Sequence, residues 1–208
     1  MNTGSVAQRL ADTPGVARTI LDAARAARGM PGADPRAMSH SWLFTGPPGS
    51  GRSLAALDFA AALMCTDPEE PGCGRCEACQ AVLDAKQHTD LVLVDPQEVI
   101  IPVDTVREVI GRAASLPTVA PWRVVIFNNA DRLNNNGANA LLKTVEEPPA
   151  RTVIIMCAPS DAPEDFSQTL RSRCRHLYIP SPSVESITAQ LVSEGASDHD
   201  AHLAALTS

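Results

Sequence analysis

The sequence is short of aromatics, of long apolar runs and of positive charge, and each shortage excludes something. Two Trp, one Tyr and four Phe among 208 residues leave little for platforms on which nucleic-acid bases stack. Seventeen basic against twenty-four acidic side chains give a net charge of −7, so no chain-wide field attracts nucleic acid. Met1 to Leu10 holds no apolar core of the kind a secretory leader needs. No apolar run reaches the roughly eighteen residues that a membrane-spanning helix requires. The expectation is a cytoplasmic protein whose thiols stay reduced, so its six cysteines ask for metal before disulfides. No internal repeat or low-complexity tract breaks the chain.

What is present is organised around Gly46-Pro47-Pro48-Gly49-Ser50-Gly51-Arg52-Ser53. It follows the apolar run Trp42-Leu43-Phe44 and opens a helical stretch from Arg52 to Met64, with Leu54, Leu57, Ala61 and Met64 expected inward. Strand, glycine-rich turn and helix form the context of a phosphate-binding loop. Glycines turn backbone N–H groups toward phosphates, and the helix N-terminus adds partial positive charge. The pattern G-x-x-x-x-G-K-[ST] is met at every fixed position except one, where Arg52 replaces lysine. The nucleotide-contacting candidates are Gly46, Gly49, Ser50, Gly51, Arg52 and Ser53.

Immediately after that helix comes Cys65-x7-Cys73-x2-Cys76-x2-Cys79. Four thiols in this spacing suit a tetrahedral zinc ion, and Pro71, Gly72 and Gly74 allow the tight turns a knuckle requires. With all four positions filled, the zinc is structural, and His88 is read as a loop or strand-edge residue.

Short apolar runs mark further strands at 91–95, 124–127, 153–157 and 177–179. Helices are expected at 14–28, 103–114 and 135–147, and from about Glu164 toward Arg171. The 103–114 helix shows Val103, Val106 and Ile110 on one face and Arg107 and Arg112 on the other. Ala138, Leu141, Leu142 and Val145 form the stripe of the next. Strands alternating with helices after a phosphate loop imply an α/β fold around a mostly parallel sheet, with the ligand crevice at the C-terminal strand ends. Residues 1–179 are expected to form that domain, with the cysteine insert at 65–79. Residues 180–208, with Val184, Ile187, Leu191, Leu203 and Leu206 as weak stripes, read as a polar helical stretch, too short for an independent domain, that looks cut off.

Together these pieces resemble the AAA+ clamp-loader family of bacterial replication. The resemblance rests on Gly46 to Ser53, the four-cysteine insert, Asn139-Ala140-Leu141-Leu142-Lys143-Thr144-Val145-Glu146-Glu147-Pro148-Pro149, and Ser172-Arg173-Cys174. It implies a P-loop AAA+ fold, a lid and a helical collar that would follow residue 208. It also implies a place in a hetero-oligomeric ring with gamma/tau and delta subunits of the DNA polymerase III assembly. Sliding clamp and primer-template DNA would be reached through that ring.

The family has motor members that hydrolyse ATP and a stator member that does not. The stator lends the arginine of its Ser-Arg-Cys motif to a neighbour's ATP, which makes Arg173 the candidate catalytic residue, acting in trans. Where motor members carry Asp-Glu after the strand ending at Phe127, this chain has Asn128-Asn129. A neutral amide cannot take a proton from water or balance a divalent ion. Arg52 for lysine is not a conservative exchange at such a site. Ala158-Pro159-Ser160 departs from the family's usual sensor sequence. The resemblance therefore implies the stator kind, with no hydrolysis of its own. ATP or ADP binding in the loop stays open, because the glycines and Ser53 are intact. The alternatives are a gamma/tau-type motor or other AAA+ ATPase in which Arg52 serves for lysine, and a zinc-dependent nucleic-acid-binding protein.

Overall fold

The computed structural model describes residues 4–184 together with 187, 188, 192 and 197. Five parallel strands form one sheet in the order β2-β3-β4-β1-β5. They are β1 (Ser41–Thr45), β2 (Leu91–Val94), β3 (Arg123–Phe127), β4 (Thr152–Ala158) and β5 (Arg175–Tyr178). Every residue of β1, β3 and β4 is buried, as expected of parallel strands covered on both faces.

Side chains alternate across the sheet and so build two cores. Trp42, Phe44, Val124, Ile126, Val153 and Ile155 face one way, against α2 (Pro14–Ala27) and α3 (Arg52–Met64). Leu43, Val125, Phe127, Ile154 and Met156 face the other, against α5 (Val103–Ala113) and α6 (Asn135–Glu146). Trp42, Phe44 and Phe59 pack together on the first face, with the Trp42 and Phe59 rings 5.1 Å apart and edge-on. Three of the seven aromatics are thus spent on this core.

The helices start and stop for local reasons. Pro14 opens α2 at a position where its missing N–H costs nothing, although the Thr13 side chain makes no capping bond. The Asn134 carboxamide accepts from Gly137 N at 2.8 Å and caps α6. Its Ala138, Leu141 and Val145 are buried as expected. In α5 the buried face is Val106, Val109 and Ala113, so the expected stripe through Ile110 is one residue out of phase. Leu54, expected inward, is 52% exposed, because it lies in the first turn of α3 above the strand ends.

Three short helices were not anticipated in full: α1 (Val6–Arg9), α4 (Glu77–Leu83), and α7 (Gln168–Arg171), which begins four residues later than expected. At the end of the described segment, Ile187 N donates to the Ser183 carbonyl and Thr188 Oγ1 to that of Val184, both helical spacings. Leu191, Leu203 and Leu206 of the expected lid lie outside the described residues. Among the described residues no helix is long and apolar enough to cross a membrane.

Candidate functional site

β1 lies between β4 and β5, and its C-terminal end delivers the loop 46–51 into the N-terminus of α3. Gly46 admits no side chain, since a Cβ there would stand 2.4 Å from the Ile179 carbonyl oxygen and 2.5 Å from Ser50 Oγ. Gly49 and Gly51 have φ of 83° and 79°, a left-handed backbone that glycine adopts without strain. The loop is therefore shaped as a phosphate cradle. Its cation is turned elsewhere: Arg52 Nη1 donates to the carbonyls of Gly46 at 2.9 Å and Pro47 at 3.1 Å. Ser50 Oγ and Arg52 Nε are buried without a hydrogen-bond partner.

β3 lies one strand beyond β4 from β1 and runs parallel to it, so its C-terminal end opens onto the same edge of the sheet as that loop. Asn128 is buried, its N–H extends the ladder to the Val94 carbonyl, and its Oδ1 has no partner. Asn129 takes the left-handed conformation (φ 50°, ψ 52°) that Asn tolerates better than most residues, and begins a 3-10 turn at Ala130–Arg132. Asp131 in that turn is exposed, and the turn has no side-chain cap. Two amides therefore stand where this crevice would need a base and a cation ligand.

On the far side of α3, the sulfurs of Cys65, Cys73, Cys76 and Cys79 all lie within 4.8 Å of one another. Cys65 and Cys76 Sγ are 3.9 Å apart, against about 3.8 Å for two thiolates on one tetrahedral zinc. Backbone N–H groups of Asp67, Cys76 and Cys79 point at the sulfurs of Cys65, Cys73 and Cys76 at 3.4, 3.4 and 3.5 Å. Such bonds favour thiolate. A hydrogen bond from Cys79 brings Cys65 down to about 4, while the same contact and burial push Cys79 up. Four thiolates this close cannot all ionise without a cation, so the donor set fits a divalent metal. His88 takes no part: its Nδ1 accepts from Asp90 N at 3.1 Å.

The insert is fastened by the N-terminal segment. Val6 N donates to the Gly72 carbonyl at 2.8 Å, and the fully buried Val6 side chain fills the space a Gly72 Cβ would need. A Cβ at Gly74 would collide with the Gly4 carbonyl. Arg75 pairs with Asp67 at 2.8 Å and, with the N–H groups of Glu70 and Glu69, holds its carboxyl down to about 2.

Arg173 follows α7 in the turn that leads into β5. Its Nε bonds Glu146 Oε1 of α6 at 2.5 Å, and Nη1 donates to the Thr169 carbonyl at 2.8 Å and to Ser172 Oγ at 3.1 Å. Arg175 pairs in register with Trp42, so Arg173 lies near the N-terminal strand ends and the phosphate loop beyond the C-terminal ones. The separation is on the order of 15 Å along the strands, beyond the reach of an arginine side chain. The flanking arginines have structural partners. Arg171 bonds Asp161 at 2.7 and 3.0 Å, and Arg175 covers the Trp42 ring at 5.0 Å while donating to the Arg36 and Ala37 carbonyls. Cys174 packs against the second core, and burial pushes its thiol up to about 12, so it is a packing residue.

One buried ion pair had no signal in the sequence. Asp90 and Arg123 meet at 2.9 Å, and Asp90 also accepts from the N–H groups of Thr118, Val119 and Ala120 at 2.8, 2.7 and 2.9 Å. It fixes the connection from α5 to β3.

Comparison with known proteins agrees with this architecture. The family model described as "DNA polymerase III, delta subunit" matches residues 33–183. DNA polymerase III subunit delta′ of Pseudomonas aeruginosa is 36% identical over 165 residues, covering 76% of this chain and 49% of that protein. The Escherichia coli delta′ subunit is 35% identical over 170 residues, covering 80% and 50%. The gamma/tau subunit of Mycobacterium tuberculosis is 33% identical over 166 residues, covering 77% and 28%. The chain thus spans about half the length of the delta′ relatives it matches.

Among solved structures, the Thermotoga maritima RuvB Holliday junction branch migration motor superposes with a TM-score of 0.55 at 16% identity, over 93% of this chain and 55% of that one. A gamma-subunit-related protein of the same organism gives 0.51 at 20% identity, over 74% and 47%. Both are evidence of the AAA+ fold alone. The phosphate loop on β1, the parallel sheet and the match across residues 33–183 assign this chain to the family of DNA polymerase III delta and delta′ subunits.

Proposed function

We propose that the chain acts as the stator of a bacterial clamp loader, the delta′ role. It would help to open and place the sliding clamp on primed DNA in a cytoplasmic ring with gamma/tau and delta subunits. Its own nucleotide site is silent, and Arg173 is an arginine finger for the ATP of a neighbouring subunit. The cysteine cluster holds structural zinc. Residues 1–179 form the AAA+ domain, and 180–208 lead into the lid.

The observation that carries this is the pair Asn128-Asn129 at the end of β3. Neither amide can act as general base or counter a divalent cation, so the loop lacks the groups that hydrolysis demands. Arg52, bonded to the loop's own carbonyls, agrees. The placement of Arg173 at the opposite end of the sheet supports action in trans, because its own loop is out of reach. A motor reading draws on the gamma/tau relatives at 33% identity, and it requires Arg52 to serve for lysine.

DNA-stimulated ATP turnover of the reconstituted loader separates the two. Arg173→Ala is expected to abolish most turnover while Arg52→Ala changes little. The reverse pattern would make this chain a motor.

A further inference from the structure

A cavity of about 460 Å³ opens where the C-terminal end of α2, the start of the cysteine insert and the N-terminal ends of β3 and β4 meet. Arg28, Cys65, Thr66, Trp122 and Arg151 line it, and it lies at the opposite end of the sheet from the phosphate loop. We infer that this cavity binds a phosphate group, of a free nucleotide or of a single-stranded nucleic acid, between Arg28 and Arg151, with the base against Trp122.

Arg28 is the first observation. Its Nη2 donates to the Asp67 carbonyl, which fixes the guanidinium fork beside the insert. Its Nη1 is buried and has no acceptor. A buried charged donor without a partner is costly, and a turn of the guanidinium toward the cavity would give it an anionic oxygen to bond. Arg151 is the second. It holds a left-handed backbone, φ 55°, rare outside glycine and Asn, and its carbonyl accepts Arg123 N at 2.8 Å. That pins the backbone at a strand entrance and leaves the exposed side chain without an ion pair among the described residues.

No acid lines the cavity, although acids outnumber bases in the chain. Two guanidinium groups set against the single Cys65 thiolate leave the lining net positive, and their forks match phosphate oxygens. Trp122 makes a nucleotide a better fit than a simple anion or an acidic peptide. It is half-buried in the wall, braced by His40 at 5.7 Å between ring centroids, and offers a π surface with no demand on base identity. The site is independent of the loop at Gly46 to Ser53 and of Arg173, so it stands whether or not the stator assignment does.

The test is fluorescence anisotropy of the full 208-residue chain with a labelled oligo(dT) at low salt. Thymidine monophosphate, inorganic phosphate and a poly-glutamate peptide serve as competitors. Arg151→Gln, at an exposed position, is expected to weaken binding several-fold and to lower the slope of log K against log salt by about 0.7. Adding Arg28→Gln takes the loss beyond roughly tenfold. Trp122→Leu weakens the oligonucleotide and the monophosphate but not inorganic phosphate, and Arg107→Gln, exposed on α5, changes nothing. Competition by monophosphate as strong as that of unlabelled oligo(dT) identifies the free nucleotide as the source, and preference for the oligonucleotide identifies a strand. The inference is overturned if no phosphate-bearing probe binds, if Arg151→Gln and Trp122→Leu bind as the unaltered chain does, or if poly-glutamate competes as well as oligo(dT).

Discussion

Arg52 Nη1 lies 2.9 Å from the carbonyl oxygen of Gly46, the first residue of the loop it was expected to serve. A compact ammonium on a flexible stem would be free to move to a phosphate. The planar guanidinium, bonded also to Pro47, instead fastens the loop to itself. Arg52→Ala removes two hydrogen bonds, so the chain should lose about 1–2 kcal/mol of unfolding free energy in denaturant titration. Loader turnover should stay within about twofold. A collapse of turnover without a matching loss of stability would show that the guanidinium acts on nucleotide.

Arg173 and Glu146 lead to the opposite expectation. The pair is substantially exposed, so Arg173→Ala should change stability by less than about 1 kcal/mol. In the assembled loader the same change should lower turnover roughly 10³–10⁵-fold, the range for arginine fingers in related NTPases. Glu146→Gln keeps the side chain's size and removes its charge, which weakens the hold on the arginine, so turnover should hold or rise. If Glu146→Gln instead cuts turnover as deeply as Arg173→Ala, the arginine acts by joining α6 to α7 rather than by reaching a neighbour's phosphate.

The elements that the sequence made legible are those with long apolar runs or hard boundaries. β1, β3 and β4 read as continuous apolar stretches, and α3 is bounded by the glycine loop before Arg52 and by Cys65 after Met64. The thiol cluster was legible because its four members lie within one insert. α1 and α4 were not, since four and seven residues are too few to show a helical period. Their stability comes from partners distant in sequence, such as Gly72 for Val6. The phase of α5 turns on adjacent Val109 and Ile110, which periodicity alone does not separate. Asp90 and Arg123, thirty-three residues apart, come together only through the pairing of β2 with β3.

That buried pair makes stability depend on acid. Burial alone would raise the Asp90 carboxyl, but the N–H groups of Ala120, Val119 and Thr118 and the Arg123 guanidinium outweigh it and hold it far below its ordinary 3.8. A depressed folded value means the contribution is fully present above about pH 4 and is lost as pH falls below it. Asp90→Asn leaves Arg123 buried without a counter-charge and should cost about 3–5 kcal/mol at pH 7. The measurement is unfolding free energy from pH 7 to pH 3 in both proteins. Convergence of the two curves toward the acid end is expected, and parallel curves would count against the pair as the source.

Metal removal tests the cysteine insert. If zinc joins the four sulfurs, one ion per chain should be found in the protein as purified, and a strong chelator should release it with a large drop in Tm. Apparent binding of about 10–16 kcal/mol in small zinc peptides exceeds what an insert with little core of its own can replace. Loss should spread beyond residues 65–79, because Val6 and Gly72 tie α1 to the knuckle and Cys79 packs against α3. Thiol titration separates metal from mere burial. Cys157 is fully buried within β4, and its thiol and that of Cys174 are each pushed up to about 12, so both should react slowly with or without metal. Cys65, Cys73, Cys76 and Cys79 should be protected before chelation and react together after it. Four thiols that react rapidly in the untreated protein would mean the cluster packs as free cysteines and holds no ion.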